Sequence, residues 1–171
     1  MNVLDYLADG FMTALQWHNL LFAFLGVLIG TSVGVLPGIG PMSGVALLIP
    51  VTASMTSGLP AEAAATSSII LLAGVYYGAM YGGSTTSILL NTPGESSSVV
   101  TTLDGYQMAK QGRAGPALSI AAIGSFAAGL FALVALIALA EPLSSVAIKF
   151  GPADYFSLML LGLCAVSGLA G

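Results

Sequence analysis

The chain has 171 residues, of which 57% are hydrophobic and 6% charged, with a net charge of −4. A soluble domain carries about 25% charged residues, so there is too little polar sequence here to clothe a soluble core. The mean hydropathy of +0.98 reads as an integral membrane protein, and three Lys and Arg in all make no basic patch, which argues against a nucleic-acid partner.

Residues 1–18 are expected to form an amphipathic helix lying at the membrane interface. Leu4, Leu7, Phe11 and Leu15 recur at spacings of three or four, and Asp5 and Asp9 stand where a signal peptide would carry Lys or Arg. Trp17 and His18 follow, at interface depth. Residues 19–171 are expected to be a transmembrane domain.

Asn19 to about Leu36 is long enough to cross, at roughly 20 residues per span. The run Pro37-Gly38-Ile39-Gly40-Pro41 interrupts it. Met42 to about Met55 is short for a crossing and contains Pro50, so a half-helix or one arm of a re-entrant hairpin is expected. Ser57-Gly58-Leu59-Pro60 is a turn signal. Ala61 to Tyr81 spans again. Gly82-Gly83-Ser84-Thr85-Thr86 is expected to break or loosen that helix, and Asn91-Thr92-Pro93-Gly94 to break the chain once more.

Asp104 to Pro116 is the most hydrophilic stretch and carries Lys110 and Arg113, which favours a cytoplasmic loop at 104–116. Ala117 to Ala140 is the clearest transmembrane helix. Glu141 to Asp154 reads as a polar connection, and from Tyr155 the chain is apolar to Gly171. The expected fold class is all-α: a polytopic transmembrane helix bundle with glycine- and proline-broken helices or re-entrant hairpins.

Glycine recurs every fourth residue at Gly26, Gly30 and Gly34, and again at Gly74, Gly78 and Gly82. Such stripes let helices approach backbone to backbone, and packing alone explains them. The interruptions beyond the stripes are more specific. Gly40-Pro41 is a helix start, with proline at the first helical position. Thr92-Pro93-Gly94-Glu95 has capping-box spacing, with Thr92 as the expected N-cap. Helix N-termini present free N–H groups and about half a positive charge each, which suits a carboxylate. Ser84, Thr85, Thr86, Asn91 and Thr92 add hydroxyl and amide groups that either bind an ion or satisfy freed backbone. Glu95 is a proton carrier, a cation ligand or only a capping residue. Glu62 at a helix start reads as structural.

Cys164 stands alone in an apolar run, and the lone His18 supports no metal site. No catalytic set, zinc-protease motif or phosphate-binding loop appears, so no enzyme and no cofactor are expected.

GVLPGIGPMSGVALLIPVT, Gly34 to Thr52, resembles the signature of the large membrane (permease) subunit of the tripartite tricarboxylate transporter family, TctA-like. YYGAMYGGSTTSILLNTPGESSSVVTTLDGYQMAKQGRAGPAL, Tyr76 to Leu118, resembles a second signature of that subunit. The resemblance runs from about Leu20 to the end. It implies the permease of an ion-gradient-driven carboxylate uptake system for citrate-like tricarboxylates, a symporter and secondary transporter of the bacterial cell inner membrane. Its implied partners are a small membrane subunit and a periplasmic substrate-binding protein. Family members are longer and internally repeated, so the chain looks like the N-terminal half, one of two repeats.

Matched to the motifs, the candidate substrate-binding positions are Pro37, Gly38, Gly40, Pro41, Gly82, Gly83, Ser84, Thr85, Thr86, Asn91, Thr92, Pro93 and Gly94. Glu95, Thr85 and Asn91 are the candidates for coupling to Na⁺ or H⁺. The competing expectations are a non-transporting membrane scaffold, in which the stripes serve packing alone, and a passive anion channel.

Overall fold

A computed structural model describes residues 3–169. Met1, Asn2, Ala170 and Gly171, at the outer edges of the two expected domains, lie outside the described residues, as does the side chain of Leu4. Every regular element among the described residues is helical. In chain order these are α1 (Val3–Ala14), α2 (Trp17–Gly34), α3 (Pro41–Thr56), α4 (Ala61–Leu90), a 3₁₀ turn (Ser96–Ser98), α5 (Val99–Lys110), α6 (Ala114–Ala147) and α7 (Pro152–Leu169). Three of them, α2, α4 and α6, contain runs long and apolar enough to cross a membrane. The chain divides into two units, Met1–Ser125 and Phe126–Gly171.

The first unit is built on the two glycine stripes. Gly26 faces Leu71 and Gly74, Gly30 faces Val75, and Gly34 faces Ala79. The numbers rise together, so α2 and α4 run parallel. A Cβ at Gly30 or Gly34 would run into the backbone carbonyl of Val75 or Ala79, and one at Gly82 would fall 2.5 Å from the Thr31 carbonyl oxygen. Only glycine permits this approach, which packs backbone against backbone with no need of bulky side chains.

α3 is the return leg. Gly44 near its start faces Val33 and Val75, while Thr56 at its end meets Ser68 through paired hydroxyls at 3.1 Å. Buried polar side chains tie the opposite end of the bundle from the interruptions. Ser67 Oγ donates to Asn19 Oδ1 at 2.6 Å, and Asn19 Nδ2 donates to the Thr13 carbonyl at 2.7 Å. Asn19 and Ser67 are 1% and 0% exposed, so these bonds fix the start of α2 against both α4 and the end of α1. α1 itself is strongly amphipathic and exposed along most of its length.

Two stretches differ from expectation. α4 is not broken at Gly82-Gly83-Ser84-Thr85-Thr86 and runs unbroken to Leu90. Its glycines serve the ridge, and its hydroxyls bond back to the preceding turn: Ser84 to Met80, Thr85 to Tyr81, and Thr86 and Ser87 to Gly83. The hydroxyls are thereby satisfied inside the helix and add no partners for unwound backbone. The stretch 104–116 is also not one loop. Asp104 to Lys110 belongs to α5, and α6 begins at Ala114. Only a tight turn separates them. Gly112, at φ +76°, donates to Ala109, and Arg113 donates to Met108, each at 2.9 Å. This is a Schellman cap, which needs a left-handed residue and finds glycine. The Lys110 ammonium lies 5.5 Å above the Tyr106 ring.

In the second unit, α6 continues through Pro142 to Ala147, where a polar connection beginning at Glu141 was expected. α7 starts at Pro152, and the Asp154 carboxylate accepts the Gly151 N–H at 2.9 Å.

Candidate functional site

α2 ends because Pro37 disfavours helical backbone in the residue before it. The turn that follows passes through Gly38 at φ +86°, a conformation open to glycine. Gly40, extended at φ −68° and ψ 169°, then caps α3 with Pro41 in its first turn. The start expected at Gly40-Pro41 is therefore formed.

The second interruption is arranged differently from the expected capping box at Thr92. Asn91 closes α4 in the left-handed conformation at φ 56°, its N–H turned back to the Thr86 carbonyl. The Thr92 hydroxyl donates to the Leu90 carbonyl at 3.2 Å, so it caps no following helix. The new start lies three residues later. The Glu95 N–H donates to Ser98 Oγ at 3.3 Å, and Ser98 Oγ donates to the Glu95 carbonyl at 2.9 Å. The 3₁₀ turn Ser96–Ser98 then leads directly into α5.

The two interruptions meet at one cavity of about 720 Å³. Gly38, Gly40 and Pro41 line it from the first, and Pro93, Gly94 and Glu95 from the second. Both helix starts, that of α3 and that leading into α5, border the same space. Tyr76 and Met80 form the α4 wall, roughly 22 to 29 Å along that helix at 1.5 Å per residue. Glu95 is half-buried, and among the described residues no Lys, Arg or His lines the space.

The remaining expected residues do not line it. Pro37 is exposed at the tip of the first turn, and Asn91 is exposed at the end of α4. Gly82 is buried on the α4 face that packs against α2, and Gly83 is buried behind Gly94. Ser84 and Thr85 are half-buried and Thr86 is buried, with their hydroxyls committed to α4 carbonyls. Thr92 is half-buried and turned to Leu90.

Lining residues that sequence reasoning did not single out are Met42, Tyr76, Met80, Ser96, Ser97 and Val99. The signal for Tyr76 and Met80 was present: they stand four apart on α4, off the glycine face. Ser96 and Ser97 follow Glu95 directly, where a helix start exposes N–H groups and hydroxyls together.

Two helix starts supply about half a positive charge each, against one Glu95 carboxylate. The arrangement offers N–H donors and the exposed Ser96 and Ser97 hydroxyls to an anion.

Residues 20–171 match the Tripartite tricarboxylate transporter TctA family. The chain is similar to an "Uncharacterized 52.8 kDa protein in TAR-I ttuC' 3'region" of Agrobacterium vitis, 53% identical over 170 residues. That alignment takes in 99% of this chain and 32% of the relative, so the chain spans about a third of the relative's length. No solved structure matches.

Proposed function

The chain belongs to the tripartite tricarboxylate transporter TctA family, and from that premise we propose that it forms part of the permease subunit of an ion-gradient-driven carboxylate uptake system. The observation that carries the reading is the convergence of both interruptions, with their two helix starts, on one cavity without a cationic side chain. Irregular backbone at membrane depth is tolerated where it lines a cavity, and paired helix ends are how secondary transporters hold anionic groups.

In this proposal a citrate-like tricarboxylate places carboxylates on the N–H groups at the starts of α3 and of the Ser96–Ser98 turn. Ser96 and Ser97 add hydroxyl contacts. Glu95 takes the coupling cation, Na⁺ or H⁺, because the helix ends alone offer about one positive charge to a multivalent anion. The longer protein works in the bacterial inner membrane with a small membrane subunit and a periplasmic binding protein.

The test is uptake of labelled tricarboxylate by the full-length permease with both partners in membrane vesicles. Accumulation above the outside concentration, abolished when ionophores collapse the gradient, is the expected result. Equilibration that stops at equal concentrations means a channel. No uptake from vesicles holding all three folded proteins leaves the scaffold reading.

A further inference from the structure

Gly94 stands where three backbone segments meet. A Cβ added there would fall 2.5 Å from the Gly83 Cα on α4 and 2.7 Å from the Gly34 carbonyl oxygen at the end of α2. Both obstacles are backbone, so neither yields by a rotamer change. Gly94 is buried and, with its neighbours Pro93 and Glu95, lines the cavity, whereas Gly34 and Gly83 do not.

We infer that Gly34 and Gly83 form a notch that seats Gly94 and so sets where the Pro93–Ser97 wall of the cavity stands. They are positioning residues that act through Gly94 on the anion the cavity takes. The effect on transport rests on the proposed substrate site, while the notch itself does not.

The contact is asymmetric. A Cβ at Gly83 would lie 3.4 Å from the Gly94 Cα and 3.6 Å from Glu95 Cγ, an ordinary contact distance. Alanine is therefore tolerated at position 83 and not at position 94, although both glycines belong to the same contact. Gly124 on α6 has nothing within 4 Å of an added Cβ and serves as the control.

The experiment uses the full-length permease with its partners and two readouts. The first, without substrate, is the maleimide labelling rate of Ser97→Cys in a background carrying Cys164→Ser. The second is the KM and kcat of tricarboxylate uptake with Ser97 intact, the thermal midpoint being followed throughout. Gly94→Ala is expected to change labelling by about threefold or more and to raise KM about tenfold with a smaller change in kcat, since a displacement near 1 Å is enough for such losses. Gly83→Ala stays within about twofold on both readouts, and Gly124→Ala leaves them unchanged. Gly83→Val presses on the same contact from the α4 side and shifts labelling as Gly94→Ala does, which covers the case of a Gly94→Ala protein that does not fold.

Unchanged labelling in a folded Gly94→Ala or Gly83→Val protein overturns the inference. So does a Gly83→Ala effect as large as that of Gly94→Ala. A labelling shift with KM unchanged upholds the notch and instead removes this cavity as the substrate site.

Discussion

Gly30 and Gly34 face peptide carbonyls, not side chains, so no repacking accommodates a methyl group there. Gly30→Ala and Gly34→Ala are expected to destabilise by about 1–3 kcal/mol, the usual cost of overpacking. Gly124→Ala should be neutral or stabilising by up to about 1 kcal/mol, because a helix-interior glycine is replaced without a clash. Denaturation in detergent checks the contrast, and equal stability of all three variants would contradict the ridge. A second residue-scale feature is the Asn19–Ser67 bond, fully buried between α2 and α4. Asn19→Ala leaves the Ser67 hydroxyl without its partner and should cost about 1–3 kcal/mol. A double-mutant cycle with Ser67→Ala should return a coupling of roughly 0.6–1.7 kcal/mol, and zero coupling would mean the pair is incidental.

At the scale of elements, α4 decides which polar groups face the cavity. Its Ser84 and Thr85 hydroxyls donate to Met80 and Tyr81 carbonyls, so they lie inside the helix's own bonding. Ser96 and Ser97 are exposed at a helix start on the cavity. In the proposed transporter, Ser84→Ala and Thr85→Ala should leave KM for the carboxylate within about twofold. Ser96→Ala and Ser97→Ala should each raise KM about tenfold or more, since a hydrogen bond to a charged group contributes roughly 1.5–3 kcal/mol. Uptake kinetics on the four variants separate the two sets, and a reversed order would return the site to the serine-threonine run of α4. The helix starts divide along the same line. Pro41 was legible because a proline after glycine fits the first turn of a helix. Thr92 misled because its spacing to Glu95 matched a capping box, while in the structure its hydroxyl is taken by the helix that ends before it. The Gly112 cap after α5 was available in the sequence as a glycine just past Lys110, but the hydrophilicity of the segment concealed it.

At the scale of the whole molecule, the chain spans about a third of the length of its Agrobacterium vitis relative, and its cavity is walled by α3, α4 and the turns beside them. In the proposed transporter, the remainder of the longer protein would supply a facing wall. The 171 residues alone, reconstituted in vesicles, are therefore expected to accumulate no carboxylate where the full-length permease with its partners does. Gradient-dependent accumulation by the isolated chain would show that no further wall is needed. Glu95→Gln in the full-length protein is expected to weaken the dependence of uptake on the driving cation, read as a flattened rate against Na⁺ concentration or pH. An unaltered dependence on both would remove Glu95 from coupling. The sequence by itself determined the membrane class, the helical content, the two glycine stripes and the two interrupted positions, because hydropathy, glycine spacing and proline stereochemistry are local properties. Only the tertiary structure decided that the stripes pair in parallel, that α4 passes unbroken through its serine-threonine run, and that Gly34 and Gly83 meet Gly94 at the cavity wall. The glycine contacts depend on which backbone each glycine meets, a partner chosen by packing between segments far apart in the chain, whereas the course of α4 turns on whether its hydroxyls reach carbonyls three or four residues back or leave the helix, two outcomes between which composition alone does not choose.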